Sequence, residues 1–284
     1  AFAQRHGIAR VHLDYAALIA DPEVDAIYNP LPNSLHGEWS IRALQAGKHV
    51  LCEKPLAANA QEAAQMRDAS QSAGCVLMEA FHYRYHPLTA RLLEIIRNGE
   101  LGTICHVEAH MAVPLVRRGD IRYRYDLAGR ATMDTGCYTI HLLRTLTGAE
   151  PEVIAAQAKL RGSKLDRAMA ADLRFLDGTT GRIVCSFWSS TVLSIQAYVR
   201  GDRGDLRVIN PFLPHLFHWL TVRAGGKARH ERIAGESTYT YQLRAFLDAV
   251  QSGAPLPTGP EDAIANMQVI DAVYRAAGLP LRGL

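Results

Sequence analysis

The 284-residue sequence contains no GxGxxG turn, no CxxC pair and no HExxH helix. The first absence removes the usual phosphate-cradling fingerprint. The other two remove common metal-ligand spacings, and the twelve histidines do not pair at ligand distance either, so no metal is expected. No apolar run approaches the roughly 18–20 residues of a membrane-spanning helix, and no signal-peptide pattern opens the chain. Thirty-one basic and 28 acidic side chains are dispersed along it. That even spread excludes a basic stripe for nucleic acid and a polybasic helix for a membrane surface. The five cysteines (Cys52, Cys75, Cys105, Cys137, Cys185) are odd in number and widely spaced. They suit small buried side chains in a reducing compartment, and a cytoplasmic location is the expectation.

What is present is ample core material, 48% hydrophobic residues, and a length that favours two domains. Short apolar runs at Val24–Tyr28, Lys48–Cys52 and Cys75–Met78 read as strands, and amphipathic stretches at Ser34–Ala46 and Ala60–Ala73 read as the helices between them. This alternation predicts a parallel sheet. Right-handed crossovers put the strand ends on one edge, so Asn29, Lys54 and Glu79 are expected to line one crevice. The first seven residues, Ala1 to Gly7, read as a helix tail ended by Gly7, and Arg10-Val11-His12 as a further short strand. A doubly wound domain would open with a strand, a Gly-rich turn and a helix, so the sheet is expected to be incomplete, with about 35–40 residues belonging before Ala1.

From a helix near Pro87 onward the pattern changes to runs of strand separated by Asp177-Gly178, Gly201–Gly204 and Gly225-Gly226, which suit antiparallel connections. Helices over Thr240–Gln251 and Pro260–Ala277 close the chain. The fold class expected is therefore α/β plus α+β. Residues 1–86 form an incomplete Rossmann-like parallel sheet, and residues 87–284 carry a large, mostly antiparallel open sheet with helices on one face.

Three constellations carry chemistry. Glu53-Lys54-Pro55 follows a buried strand, and the proline holds Lys54 extended at the crevice edge rather than letting it begin a helix. Asp134, Tyr138 and His141 stand at i, i+4 and i+7 and share a face if a helix starts there, although a cap, a packed phenol and an interior histidine would explain them equally. Phe81–Pro87 is a polar-aromatic stretch between the domains, where either binding or interface packing is expected. The segment Asn29–His36 reads equally as a turn and helix cap, and the arginines of Pro114–Tyr125 (Arg117, Arg118, Arg122, Arg124) equally as ligand contacts or solvated surface.

Together, Asn29-Pro30 through His36, Glu53-Lys54-Pro55, Arg84–Pro87, the Asp134–Tyr138 spacing, Gly201–Gly204 and Tyr241–Gly253 resemble the Gfo/Idh/MocA oxidoreductase family, with dimeric dihydrodiol dehydrogenases among its members. The EKP tripeptide joined to a downstream D-x-x-x-[YH] is the specific part. The resemblance implies NAD or NADP as hydride carrier, NADP being somewhat preferred, and a homodimer through the C-terminal sheet. It implies Lys54 and Tyr138 at the substrate, Asp134 supporting them, and Pro30, Asn33, His36, Glu53 and Arg84 near the cofactor alongside Asn29 and Glu79. His141 and Arg122 are added as substrate contacts from the residues themselves. Without the Gly-rich turn, weak cofactor binding by this chain is the expectation. Gly129-Arg130-Ala131 stands where relatives often carry consecutive glycines, and a bulky Arg130 is expected to alter substrate entry.

The reaction implied is hydride transfer between the nicotinamide and a secondary alcohol or carbonyl of a sugar, polyol or dihydrodiol. Tyr138 is the expected acid/base, its phenol lowered towards working pH by the Lys54 ammonium. The alternatives are a non-catalytic sugar or dinucleotide sensor of the same fold and redox-assisted glycoside hydrolysis.

Overall fold

The computed structural model describes residues 2–116, 119–162, 165–188 and 192–283. Arg117 and Arg118 lie outside the described residues. After a short helix α1 (Phe2–Arg5), Gly7 turns the chain at φ +64°. Residues 10–12 form no strand. Arg10 instead pairs with Asp21 and Glu23, and His12 Nε2 lies 3.3 Å from Asp21, so this segment's polar side chains are committed to the end of helix α2 (Tyr15–Ala20) rather than to a sheet face.

Strands β1 (Ala26–Asn29), β2 (His49–Cys52) and β3 (Leu77–Glu79) pair in parallel in the order β1-β2-β3. Helix α3 (His36–Gln45) and helix α4 (Ala60–Ala73) make the crossovers. Asn59 caps α4 by accepting from Glu62 N, and Gly74 ends it at φ +62°, so cap chemistry sets its length. All three strands therefore end on one edge.

Helix α5 (Pro87–Arg97) leads into an eight-stranded sheet: β4 (Ile104–Ala112), β5 (Glu152–Arg161), β6 (Leu165–Arg174), β7 (Thr180–Ser186), β8 (Ser194–Gly201), β9 (Gly204–Ile209), β10 (Trp219–Ala224) and β11 (Lys227–Glu231). Its order is β11-β10-β9-β8-β4-β7-β6-β5, and every neighbouring pair is antiparallel except β4 with β7. One face is covered: helix α6 (Cys137–Thr147) packs on β4 and β7, and α8 (Pro260–Ala276) on β5. The opposite face presents His106, Glu108, His110, Gln196, Tyr198 and Trp219. Helix α7 (Thr238–Ser252) packs on the turn His82–Tyr85, which joins the two sheets. No helix among the described residues is long and apolar enough to cross a membrane.

The core around α6 contains one fully buried polar knot. Asp166 Oδ2 accepts from Thr132 N (2.9 Å) and Thr132 Oγ1 (2.7 Å), while Oδ1 accepts from Arg282 Nη2 (3.2 Å) and Tyr274 Oη (3.4 Å). The carbonyl of Arg282 in turn accepts from Asn59 Nδ2 at 2.8 Å, so a residue of the C-terminal tail ties the helical layer of the first sheet to the turn that begins at Thr132. Removing the carboxylate leaves a buried guanidinium with no counter-charge. Asp166→Ala should cost about 3–5 kcal/mol, read in urea as a lower midpoint with an unchanged slope. A loss below about 1 kcal/mol would show that the knot does not hold the turn.

Candidate active site

The site grows from the edge where β1 and β2 end. Asn29 closes the first turn: its amide donates to His36 O (3.3 Å) and Ser40 Oγ (2.9 Å), and its Oδ1 accepts from Leu31 N (3.2 Å). His36 staples that turn to the next, with Nδ1 2.9 Å from Pro55 O and Nε2 2.7 Å from Leu31 O. Glu53 N donates to Asn29 O, and Glu53 Oε1 accepts from Tyr28 Oη at 2.7 Å. These bonds leave Pro30, Asn33, Glu53 and Lys54 facing a crevice of about 490 Å³.

The second sheet supplies the other wall. A wide helical turn over Thr132–Gly136 with i→i+5 bonding precedes α6 and projects Asp134 into the crevice. Lys54 Nζ donates to Asp134 O (2.9 Å) and to Asp134 Oδ1 (3.0 Å), and Arg122 Nε lies 3.1 Å from Asp134 Oδ2. The same ammonium sits 4.8 Å above the centre of the Tyr138 ring. Tyr138 Oη lies 3.2 Å from His82 Nε2, and His82 packs on Tyr239 of α7 with ring centroids 4.4 Å apart. His82, Tyr239, Tyr28, Ile121 and Arg122 also line it.

Burial sets the protonation states. Burial pulls Lys54 down, but the carboxylate of Asp134 and neighbouring acidic groups outweigh it, so the ammonium stays charged. Burial also works against Asp134 ionising, but Lys54 and Arg122 hold its carboxyl below the usual range. For Tyr138 burial wins: the phenol is raised, and Lys54 opposes the rise only in part. The expectation that Lys54 brings this phenol towards neutral pH is thus reversed, because desolvation of the buried hydroxyl outweighs the pull of the ammonium. His82 is driven down to about 3 by burial, with Lys54 and His215 adding to it, so it is neutral.

Several residues expected at the crevice lie behind it. Asn29 and His36 are buried within the turns they hold. Glu79 is 1% exposed beneath the edge; its Oε1 accepts from Leu56 N at 2.8 Å. Arg84 is half-buried and does not line the crevice. His141 is not a substrate contact: it is 1% exposed, stacked on Phe81 with centroids 4.0 Å apart, and bonded to Tyr83 Oη (2.5 Å) and Asp262 (3.0 Å). The wide turn before α6 breaks the helical phase that would have kept His141 on the face of Asp134. Arg130 does not reach the entrance either. It turns inward, 1% exposed, with its guanidinium 5.2 Å from the Tyr125 ring, at φ +153°, a value glycine tolerates best. Gly129 beside it is required, since a Cβ there would come within 2.6 Å of Arg122 O. His82 and Tyr239 were the residues missed; only the density of polar aromatics in Phe81–Pro87 pointed to the first.

Residues 1–81 match the model described as "Oxidoreductase family, NAD-binding Rossmann fold", and residues 89–207 match the GFO/IDH/MocA C-terminal domain. D-xylose 1-dehydrogenase (NADP(+)) 2 of Haloferax volcanii is 36% identical over 98% of this chain and 85% of its own length. The crystal structure of aldose-aldose oxidoreductase from Caulobacter crescentus complexed with glycerol superposes with a TM-score of 0.90 at 27% identity, covering 98% of this chain and 85% of that one. KijD10, a 3-ketoreductase from Actinomadura kijaniata in complex with NADP and TDP-benzene, gives 0.89 at 30% identity over 97% of this chain and 85% of that one.

Glu79 makes the site's support pH-sensitive. Burial, then the charge of Asp262, pushes its carboxyl up to about 8 from 4.5 against the opposing Leu56 N–H, Arg144 and Lys54. A carboxyl raised in the folded state binds more protons there than in the unfolded chain. Its contribution is therefore complete below the unfolded value and is lost as pH rises through the folded one. Wild type minus Glu79→Gln stability should fall with pH between 4.5 and about 8, at a slope approaching about 1.4 kcal/mol per pH unit. Urea unfolding across that range checks it; a flat difference would mean that Glu79 ionises freely.

Proposed function

The chain belongs to the GFO/IDH/MocA oxidoreductase family, and from that premise we propose that it transfers hydride between NAD(P) and the secondary alcohol or carbonyl carbon of an uncharged hydroxylated molecule, a sugar, polyol or dihydrodiol. The observation that carries this reading is the meeting of Lys54, Asp134 and Tyr138 in one crevice, with Lys54 Nζ 3.0 Å from Asp134 Oδ1 and 4.8 Å from the Tyr138 ring centre.

The crevice edge fits the nicotinamide end of such a cofactor. Pro30, Leu31 and Pro32 form an apolar rim for a flat ring, with Asn33 and Glu53 as the polar groups beside it. When bound, the nicotinamide supplies the hydride acceptor or donor. Every other task falls to side chains. Lys54 holds the substrate oxygen, and its fixed ammonium stabilises negative charge growing there. Tyr138 exchanges the hydroxyl proton. Asp134 keeps Lys54 charged and aimed, bonding it through both its backbone and its carboxylate oxygens.

Charge balance favours an uncharged substrate. Lys54 and Arg122 share the carboxylate of Asp134, and Glu53 is bonded by Tyr28. An anionic substrate would have to draw a cation from Asp134 inside a poorly solvated crevice, at a desolvation cost. NADP is the first cofactor to test, since the Haloferax relative's name and the KijD10 complex both specify it. We also propose that the open face of the eight-stranded sheet, with Trp219 57% exposed, forms a homodimer. Sedimentation should give a dimer that Trp219→Glu shifts to monomer; a wild-type monomer would remove this proposal.

A nicotinamide absorbance assay with aldoses, inositols, aromatic dihydrodiols and a sugar phosphate should show turnover of a neutral member and little of the phosphate. Tyr138→Phe should lower kcat by about 100-fold or more. Lys54→Ala should lower it by about 100–1,000-fold. Cofactor and sugar binding without turnover of any substrate would favour the sensor reading, and full activity of Tyr138→Phe would remove Tyr138 from the chemistry.

A further inference from the structure

Among the described residues the buried hydroxyl of Tyr138 has one hydrogen-bond partner, His82, and the direction of that bond decides what the phenol can do. His82 Nε2 lies 3.2 Å from Tyr138 Oη, and Nδ1 is buried with no hydrogen-bond partner among the described residues. The ring is neutral, so one nitrogen carries a proton and the other a lone pair. A buried N–H without an acceptor is rarer in proteins than a buried lone pair without a donor, and desolvating the donor is costly. The proton therefore belongs on Nε2, and the bare lone pair on Nδ1.

We infer that His82 is a positioning residue that donates its Nε2–H to the oxygen of Tyr138, freeing the phenolic proton to point at the substrate and stabilising the phenolate once that proton has gone. This rests on the reading of Tyr138 as the proton-exchanging group. In carbonyl reduction the Tyr138 O–H bond would break and its proton join the substrate oxygen, a bound nicotinamide supplying the hydride to carbon; oxidation would run the same transfers in reverse, the substrate proton joining the Tyr138 oxygen, and His82 keeps its proton throughout. Lys54 cannot replace this donor because it lies over the ring face, 4.8 Å from the centroid. The other titratable groups facing this pair are Glu53 and Lys54 after β2, Tyr83 in the turn before α5, Cys137 of α6, Tyr239 of α7 and His215 before β10. Burial first, then Cys137, Glu53 and Tyr239, disfavour phenolate, so a dedicated donor is the device that counters them alongside Lys54.

His82→Met removes the donor, and His82→Gln restores one through its amide. The acid limb of the kcat–pH profile for oxidation should move up by about 1–2 pH units in His82→Met. It should return to within about half a unit in His82→Gln, with KM changed less than about threefold in both. In wild-type protein labelled with nitrogen-15 histidine, the Nε2 resonance of His82, assigned by its loss in His82→Gln, should be of the protonated, pyrrole type. That readout stands even if the methionine variant fails to fold. A pyridine-type Nε2, or an unmoved acid limb in a folded His82→Met, overturns the inference. If Tyr138→Phe is inactive while His82→Met is normal, the role of His82 fails alone; if Tyr138→Phe is fully active, the reading of Tyr138 fails with it.

Discussion

The contact on which the rest of the site depends is the ion pair between Lys54 and Asp134, formed across the junction of two sheets that share no strand. The side chains are 12% and 24% exposed, so both charges have given up most of their water. A pair of that kind breaks even only when its remaining hydrogen-bonding positions are filled. Here most are: the backbone oxygen of Asp134 takes a second bond from Lys54 and Arg122 takes the far carboxylate oxygen, while the third ammonium N–H, over the Tyr138 ring, is left for a substrate oxygen. The pair is therefore held in one arrangement, and the crevice between the sheets has a fixed polar floor.

That floor is supported by bonds that never reach the crevice. His36 spans the turns after β1 and β2, Asn29 closes the first of them, and Glu53 binds both Asn29 O and Tyr28. On the other side, Asp166 caps the turn that carries Asp134. A lysine at a strand end is ordinarily mobile over several rotamers. Support on both sides converts Lys54 into a group of defined direction, which electrostatic stabilisation at a reacting oxygen requires.

Much of this was legible in the residues. The βαβ rhythm placed the ends of three strands on one edge, and the turn signals marked the change to antiparallel strands; Asn59 begins α4, and Gly74, Gly148 and Gly253 end α4, α6 and α7, by cap chemistry that such residues carry in the sequence. Lys54, Asp134 and Tyr138 were legible because strand-end and helix-start positions are set by local pattern. Depth was not. His36, Glu79 and His141 occupy the expected elements yet point into carbonyls, a buried backbone N–H and an aromatic stack, because side-chain partners across 19 to 121 residues leave no periodic trace. The phase slip at Thr132–Gly136 is likewise invisible in a 3.6-residue pattern. Nor does the order of residues tell how deeply a phenol is buried, which here decides the sign of the Tyr138 shift.

The knot at Asp166 bears on how the protein is made. Its guanidinium partner stands 116 residues further along the chain, and Tyr274 stands 108 further. The turn bearing Asp134 can coil and the sheet can pair from local pattern, but the buried carboxylate beneath them gains its bonds from Arg282 and Tyr274 only when the chain far downstream docks. Its bonds are therefore complete only once segments far apart in the sequence have met, and the geometry that begins at Thr132 is latched from far downstream.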